Sequence, residues 1–115
     1  MEKVTVNIVN VVGDNFCVEA EDGQKVFELV SKAMNDGRRV SVSFLNVELL
    51  TTAFLNTAIG QLYRDFSEEE IREKLSVESI SKSGAVSLKR VVDTAKLYYK
   101  NPEDIERSIK DILGE

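Results

Sequence analysis

Arg38-Arg39-Val40-Ser41-Val42-Ser43-Phe44 and, after a short loop, Thr51-Thr52-Ala53-Phe54-Leu55-Asn56-Thr57-Ala58-Ile59-Gly60-Gln61-Leu62-Tyr63-Arg64 decide how this chain folds. In the first segment Val40, Val42 and Phe44 alternate with polar residues, the two-residue period of a strand with one buried face. In the second the period lengthens. Phe54, Ala58 and Leu62 recur every four residues with Leu55, Ile59 and Tyr63 beside them, so a helix opening near Thr51 or Thr52 and running to about Arg64 carries a broad apolar face. Asn56, Thr57, Gly60 and Gln61 lie opposite. The pair predicts that Phe54, Ala58, Ile59 and Leu62 are buried against a sheet containing Val40 and Val42.

Upstream, residues 3–12 place Val4, Val6 and Ile8 at strand alternation, Gly13-Asp14-Asn15 is turn chemistry, and residues 16–20 read as a second short strand. The expectation is an opening hairpin. Asp22 is placed to cap a helix that runs to about Asn35, with Val26, Val30, Ala33 and Met34 inward and Gly37 as the stop. Downstream, Ser67-Glu68-Glu69-Glu70 is a capping box that starts a short helix ending near Leu75. Residues 77–80 read as a strand, and Leu88, Val91, Val92, Ala95 and Tyr99 mark an amphipathic helix. Asn101-Pro102, a cap followed by proline at the first helical position, opens a last helix with Ile105, Ile109, Ile112 and Leu113 on one face. The predicted order is β-β-α-β-α-α-β-α-α: an α/β fold with a mixed β-sheet covered by α-helices. Neither a repeat nor a Pro/Gly/Ser-rich linker divides the chain, so residues 1–115 are expected to form a single domain.

A chain of 115 residues buries about two thirds of its unfolded surface in one core. Its 43% hydrophobic and 30% charged residues place it among ordered globular proteins. No apolar run approaches the roughly 20 residues of a membrane span, and the start of the chain lacks the pattern of a secretory signal, so the expected location is cytoplasmic, with no membrane partner. The net charge of −5 opposes the phosphate contacts that supply most nucleic-acid affinity, so no nucleic-acid partner is expected.

The chain contains no histidine, which closes every mechanism that uses imidazole as acid, base or ligand. Cys17, the single cysteine, reads as a small apolar filler. The six glycines are scattered and form no phosphate cradle. Carboxylates are the remaining catalytic option, through Asp14, Glu19, Glu21 and Asp22 or the run Glu68-Glu69-Glu70. Helix-starting roles account for Asp22 and the glutamate run, and charged runs are ordinarily solvated. The expectation is no enzyme activity, no metal and no cofactor.

The segment 43–63 resembles the STAS-like family labelled DUF4325, proteins of bacteria, in which a strand, a loop and a small-hydroxyl pair precede Phe-Leu-Asn and an Ala-Ile-Gly helix. Thr51-Thr52, Phe54-Leu55-Asn56, Ala58-Ile59-Gly60 and Leu62-Tyr63 match that pattern, while Ser43 stands where an aspartate is common. The resemblance implies a STAS-like fold. It also implies similarity to the STAS domains of anti-sigma-factor antagonists, whose corresponding helix begins at a serine or threonine phosphorylated by a partner kinase. Thr52 is the better match to that position and Thr51 is one residue away; that both threonines merely cap the helix is the competing reading, and capping and switching are compatible.

The resulting expectation is a regulatory protein-binding module. It presents the start of this helix and the loop before it, through Thr52, Thr51, Asn46, Glu48 and Asn56, to a protein partner such as a GHKL-type ATPase or kinase. A small enzyme using acidic residues and a self-associating structural subunit are the alternatives, and a homodimer stays open.

Overall fold

The alternating segments do build a sheet, but not through a hairpin. The computed structural model describes residues 3–100, and the helix expected from Asn101 with its Ile105, Ile109, Ile112 and Leu113 face lies outside them. Chain order runs β1 (Lys3–Asn7), α1 (Ile8–Val12), β2 (Phe16–Cys17), α2 (Ala20–Asn35), β3 (Arg39–Ser43), β4 (Leu49–Leu50) and α3 (Thr52–Leu55). A π-helical turn (Asn56–Gly60), α4 (Leu62–Asp65), α5 (Glu68–Lys74), β5 (Leu75–Glu78) and α6 (Lys82–Lys100) follow.

The first departure is at Asn7. Strand alternation continues to Ile8, yet the Asn7 side chain accepts a hydrogen bond from Asn10 N at 3.4 Å and caps the five-residue α1, which Gly13 closes at φ 81°. The Gly13-Asp14-Asn15 turn is therefore a helix terminus followed by an Asx turn, with Phe16 N donating to Asp14 Oδ1 at 3.0 Å, and β2 never meets β1. The mixed sheet expected from a hairpin is replaced by parallel pairing throughout the described residues: β1-β3-β5 in one sheet, β2-β4 in a second.

Register sorts the faces of the larger sheet. Val4 and Val6 sit beside Val40 and Val42, which sit beside Leu75 and Val77, whereas Thr5, Ser41 and Ser76 share the opposite face. The valine face meets α2 and the helical segment 52–65. Val26, Val30, Met34, Phe54, Leu55, Ala58, Ile59 and Leu62 are all buried in one core with Val6, Val40 and Val42, as the four-residue period required. Each of these side chains other than Ala58 contributes about 1.5–3 kcal/mol by leaving water.

Helix ends follow local chemistry, with shifts. α2 begins two residues before Asp22, whose carboxylate lies in the first turn and pairs with Lys25 at 3.4 Å instead of capping. It ends as expected at Gly37. Gly37 N donates to Met34 O and Arg38 N to Ala33 O, both at 3.0 Å, the reciprocal pair of a left-handed glycine stop at φ 78°. Ser67 caps α5 through Glu70 N at 3.1 Å, while the Glu70 carboxylate accepts from the Ser67 hydroxyl at 3.3 Å instead of reaching the Ser67 backbone. β5 begins at Leu75, two residues before the expected strand.

Gly23 sets how closely the helices approach. A Cβ there would lie 2.6 Å from Phe54 O and 3.0 Å from Thr57 Cβ, so only a hydrogen fits between α2 and the start of the 52–65 segment. Among the described residues no helix is long and apolar enough to cross a membrane.

Candidate functional site

The loop after β3 is built to bring two distant segments together. Val47 N donates to Phe44 O at 3.1 Å, closing a turn in which Asn46 adopts φ 68°, a left-handed conformation that asparagine tolerates better than most side chains. Glu48 N then donates to Asn15 O at 2.9 Å, and Thr51 N to Cys17 O at 3.2 Å, so residues 48–51 zip onto residues 15–17. In the resulting two-stranded sheet Phe16 lies beside Leu49 and Cys17 beside Leu50. Alternation turns Cys17 fully inward and leaves Phe16 53% and Leu49 51% exposed. Two large apolar side chains thus stand side by side in solvent next to the helix start.

Thr51 joins this strand pair to α3. Its hydroxyl donates to Val18 O at 2.7 Å and accepts from Phe54 N at 3.2 Å, while Leu55 N donates to Thr51 O at 3.1 Å. Thr51 is therefore the cap. Thr52 occupies the first helical position, exposed, and its side chain makes no hydrogen bond among the described residues. Of the two threonines only Thr51 caps: its hydroxyl is consumed by structure, and that of Thr52 faces solvent.

The helix carries a second irregularity one turn later. Gln61 N bonds to Asn56 O at 3.1 Å, the wider spacing of a π turn, and the Gln61 side chain donates to Thr57 O at 2.8 Å and Gln24 Oε1 at 2.9 Å. Gln61 thereby ties the turn to α2. Asn56 is exposed at its start.

An open cleft of about 540 Å³ lies between the loop 44–50 and the connection from β5 to α6. Phe44, Val47, Leu50 and Ile80 supply apolar lining, Ser79, Ser81, Ser83 and Ser87 hydroxyls, and Glu48 the one charged side chain on its described walls. Ser81 Oγ is committed to capping α6, accepting from Gly84 N at 3.0 Å. Of the residues singled out from sequence, Asn46 and Glu48 line this cleft, and Thr51, Thr52 and Asn56 lie along the adjoining helix outside it. Sequence reasoning missed Phe16 and Leu49, which read as core residues by type. It also missed the serine wall, whose signal was the spacing of Ser79, Ser81, Ser83 and Ser87.

Burial, reinforced by the negative charges of Asp22 and Asp14, pushes the Cys17 thiol up to about 11, so it stays protonated and unreactive at neutral pH. The Glu68-Glu69-Glu70 run occupies the first turn of α5, where carboxylates complement the helix dipole. Among the described residues no three acidic, cysteine or histidine side chains converge in a group that could hold a metal ion.

A family model described as a STAS-like domain of unknown function (DUF4325) matches residues 22–85, more than half of the chain. The match runs from α2 into α6 and includes the Thr51–Thr52 helix start and the cleft lining except Ser87. Neither the curated proteins nor the solved structures contain a match to it.

Proposed function

The chain belongs to the STAS-like domain family DUF4325, and from that premise we propose that it is a non-enzymatic regulatory module that works by occupying the surface of a protein partner. The docking surface is the exposed Phe16–Leu49 pair together with Glu48 and Thr52 at the head of the helix. The observation that carries this reading is that pair: Phe16 and Leu49, each about half exposed, stand side by side on a two-stranded sheet, where burial by a partner would be favourable. A GHKL-type ATPase or kinase is the partner class that the STAS resemblance suggests, and Thr52 is the control point. A phosphate on Thr52 would add about −1.5 to −2 charges beside the positive end of the helix, leaving the fold intact while placing a strongly hydrated anion in the interface. Thr51 is unsuited to that role, because modifying its hydroxyl would sever two hydrogen bonds.

The test is a quantitative pull-down from the native host with the wild-type chain, Thr52→Asp and the double variant Phe16→Ser/Leu49→Ser. The expected result is one protein retained by the wild type and lost by both variants, with melting temperatures within a few degrees of each other. Retention by all three alike, or turnover of a substrate that disappears on changing a single acidic residue, would overturn the binding-module reading.

A further inference from the structure

β1 is an outer strand of the larger sheet, paired with β3 on one side and with no described strand on the other. Exposed strand edges are ordinarily blunted by proline, bulges, inward charges or very short length. β5, at the opposite edge, has four residues, runs directly out of α5 and ends in Glu78. β1 has no proline, bulge or inward charge: it reads Lys3-Val4-Thr5-Val6-Asn7 over five regular residues, with Lys3 at its first position the one charged side chain that guards it. Along its edge lies a groove of about 360 Å³, lined mainly by apolar surface, where Val11 and Leu29 stand beside Val4 and Val6. Leu29 is 47% exposed.

We propose that this edge takes up β1 of a second copy of the chain, in an antiparallel two-fold pair centred on Thr5. The strand is self-complementary in that register. Lys3 of one copy falls opposite Asn7 of the other, Val4 opposite Val6, and Thr5 opposite Thr5. A one-residue slip would bring valine opposite threonine and turn the valine face of one sheet toward the polar face of the other, and a two-residue slip would leave strand ends unpaired. In the centred register the four valines form a continuous apolar strip on the helix-covered face, which Val11 and Leu29 of both copies flank. The two threonines pair on the polar face, a favourable cross-strand combination.

Charge selects the same geometry. On the polar face Lys3 and Arg39 mark the beginning of the strands and Glu78 the end. In the antiparallel arrangement Lys3 faces the uncharged Asn7 and stays about 14 Å, three strand spacings, from Glu78 of the other copy, so charge acts by exclusion: a parallel arrangement would place Lys3 against Lys3. The contact is isologous, so it closes at two copies and joins the two three-stranded sheets into one, ordered β5-β3-β1-β1-β3-β5. A single five-residue strand pair with its flanking groove is a small interface, so the dimer forms weakly and reversibly with concentration.

Sedimentation velocity on the full chain over a concentration series tests the idea, alongside Thr5→Lys and Thr5→Glu. Thr5 is exposed, so neither change disturbs the core. The wild type is expected to shift from monomer toward dimer as concentration rises. Each variant alone should remain monomeric, because like charges face each other across the two-fold, and an equimolar mixture of the two should recover a dimer containing one of each. Leu29→Gln, which leaves the strand untouched, should shift the midpoint to higher concentration at an unchanged melting temperature. A wild type that stays monomeric throughout the series, dimers indifferent to Thr5→Lys, or a mixture that fails to associate would each overturn the proposal.

Discussion

Replacing Gly23 by alanine tests the close approach of α2 to the segment 52–65. In an ordinary helix interior the change would stabilise by about 0.5–1 kcal/mol, since alanine loses less backbone freedom on folding. Here the new methyl would meet Phe54 O at 2.6 Å, Thr57 Cβ at 3.0 Å and Ala58 N at 3.3 Å. Two of the three obstacles are backbone atoms of a neighbouring helical segment, so no rotamer change can clear them. α2 and the segment 52–65 must separate by several tenths of an ångström, and a gap of that order forfeits a quarter to a half of each dispersion contact along the seam. Overpacking of this kind costs typically about 1–3 kcal/mol, and the rigidity of the obstacle argues for the upper end. Set against the helix gain, the net loss is about 2 kcal/mol, or roughly 8 °C in melting temperature for a domain of this size. Gly60→Ala is the internal control. Its methyl would meet Val91 Cγ1 at 3.5 Å and Ala95 Cβ at 3.8 Å, ordinary contacts, so the helix gain of about 0.5–1 kcal/mol should survive and the melting temperature should rise. Urea and thermal unfolding followed by circular dichroism measure both. If Gly23→Ala were as stable as the wild type, or if both glycine variants moved in the same direction, the close approach of α2 to the segment 52–65 would be refuted.

Two further outcomes follow from the site. Thr51→Val keeps shape but removes both hydroxyl bonds, and should cost about 1–3 kcal/mol in urea melts, against less than about 0.5 for Thr52→Val; equal effects would contradict the assignment of Thr51 as the cap. Cys17 should resist thiol reagents at pH 8 until the protein unfolds. Because the fold raises its pKa from 9.0 to about 11, the stability this gives is complete below about pH 9 and is lost as the pH rises through about 11. Cys17→Ala should therefore show a flatter decline over that interval than the wild type, and parallel curves would mean that the thiol is not held in a desolvated environment.

Most of the elements were legible in the sequence because the signals that specify them are local. The two-residue period of Val40 and Val42, the four-residue period of Phe54, Ala58 and Leu62, the serine cap at Ser67 and the glycine stop at Gly37 each act over one or two turns of chain, and each appears in the structure. The α/β class and the position of the candidate loop and helix follow from these alone. Where two local signals competed, sequence could not arbitrate. Alternation through Ile8 favoured a longer strand, while Asn7 could equally cap a helix, and the cap prevailed because the chain then leaves the sheet edge and returns by a parallel connection.

The site was legible in outline and ambiguous in detail for the same reason. That a hydroxyl starts the candidate helix is written in Thr51-Thr52, but which one is spent on structure depends on the carbonyl of Val18, 33 residues away in the chain. Phe16 and Leu49 have the composition of core residues, and nothing adjacent to either says otherwise. Their exposure is settled by the pairing of β2 with β4: once Cys17 and Leu50 face inward, alternation sends their neighbours into solvent. Periodicity along the chain determines which residues share a face. Only the register between distant strands decides whether that face meets the core or water.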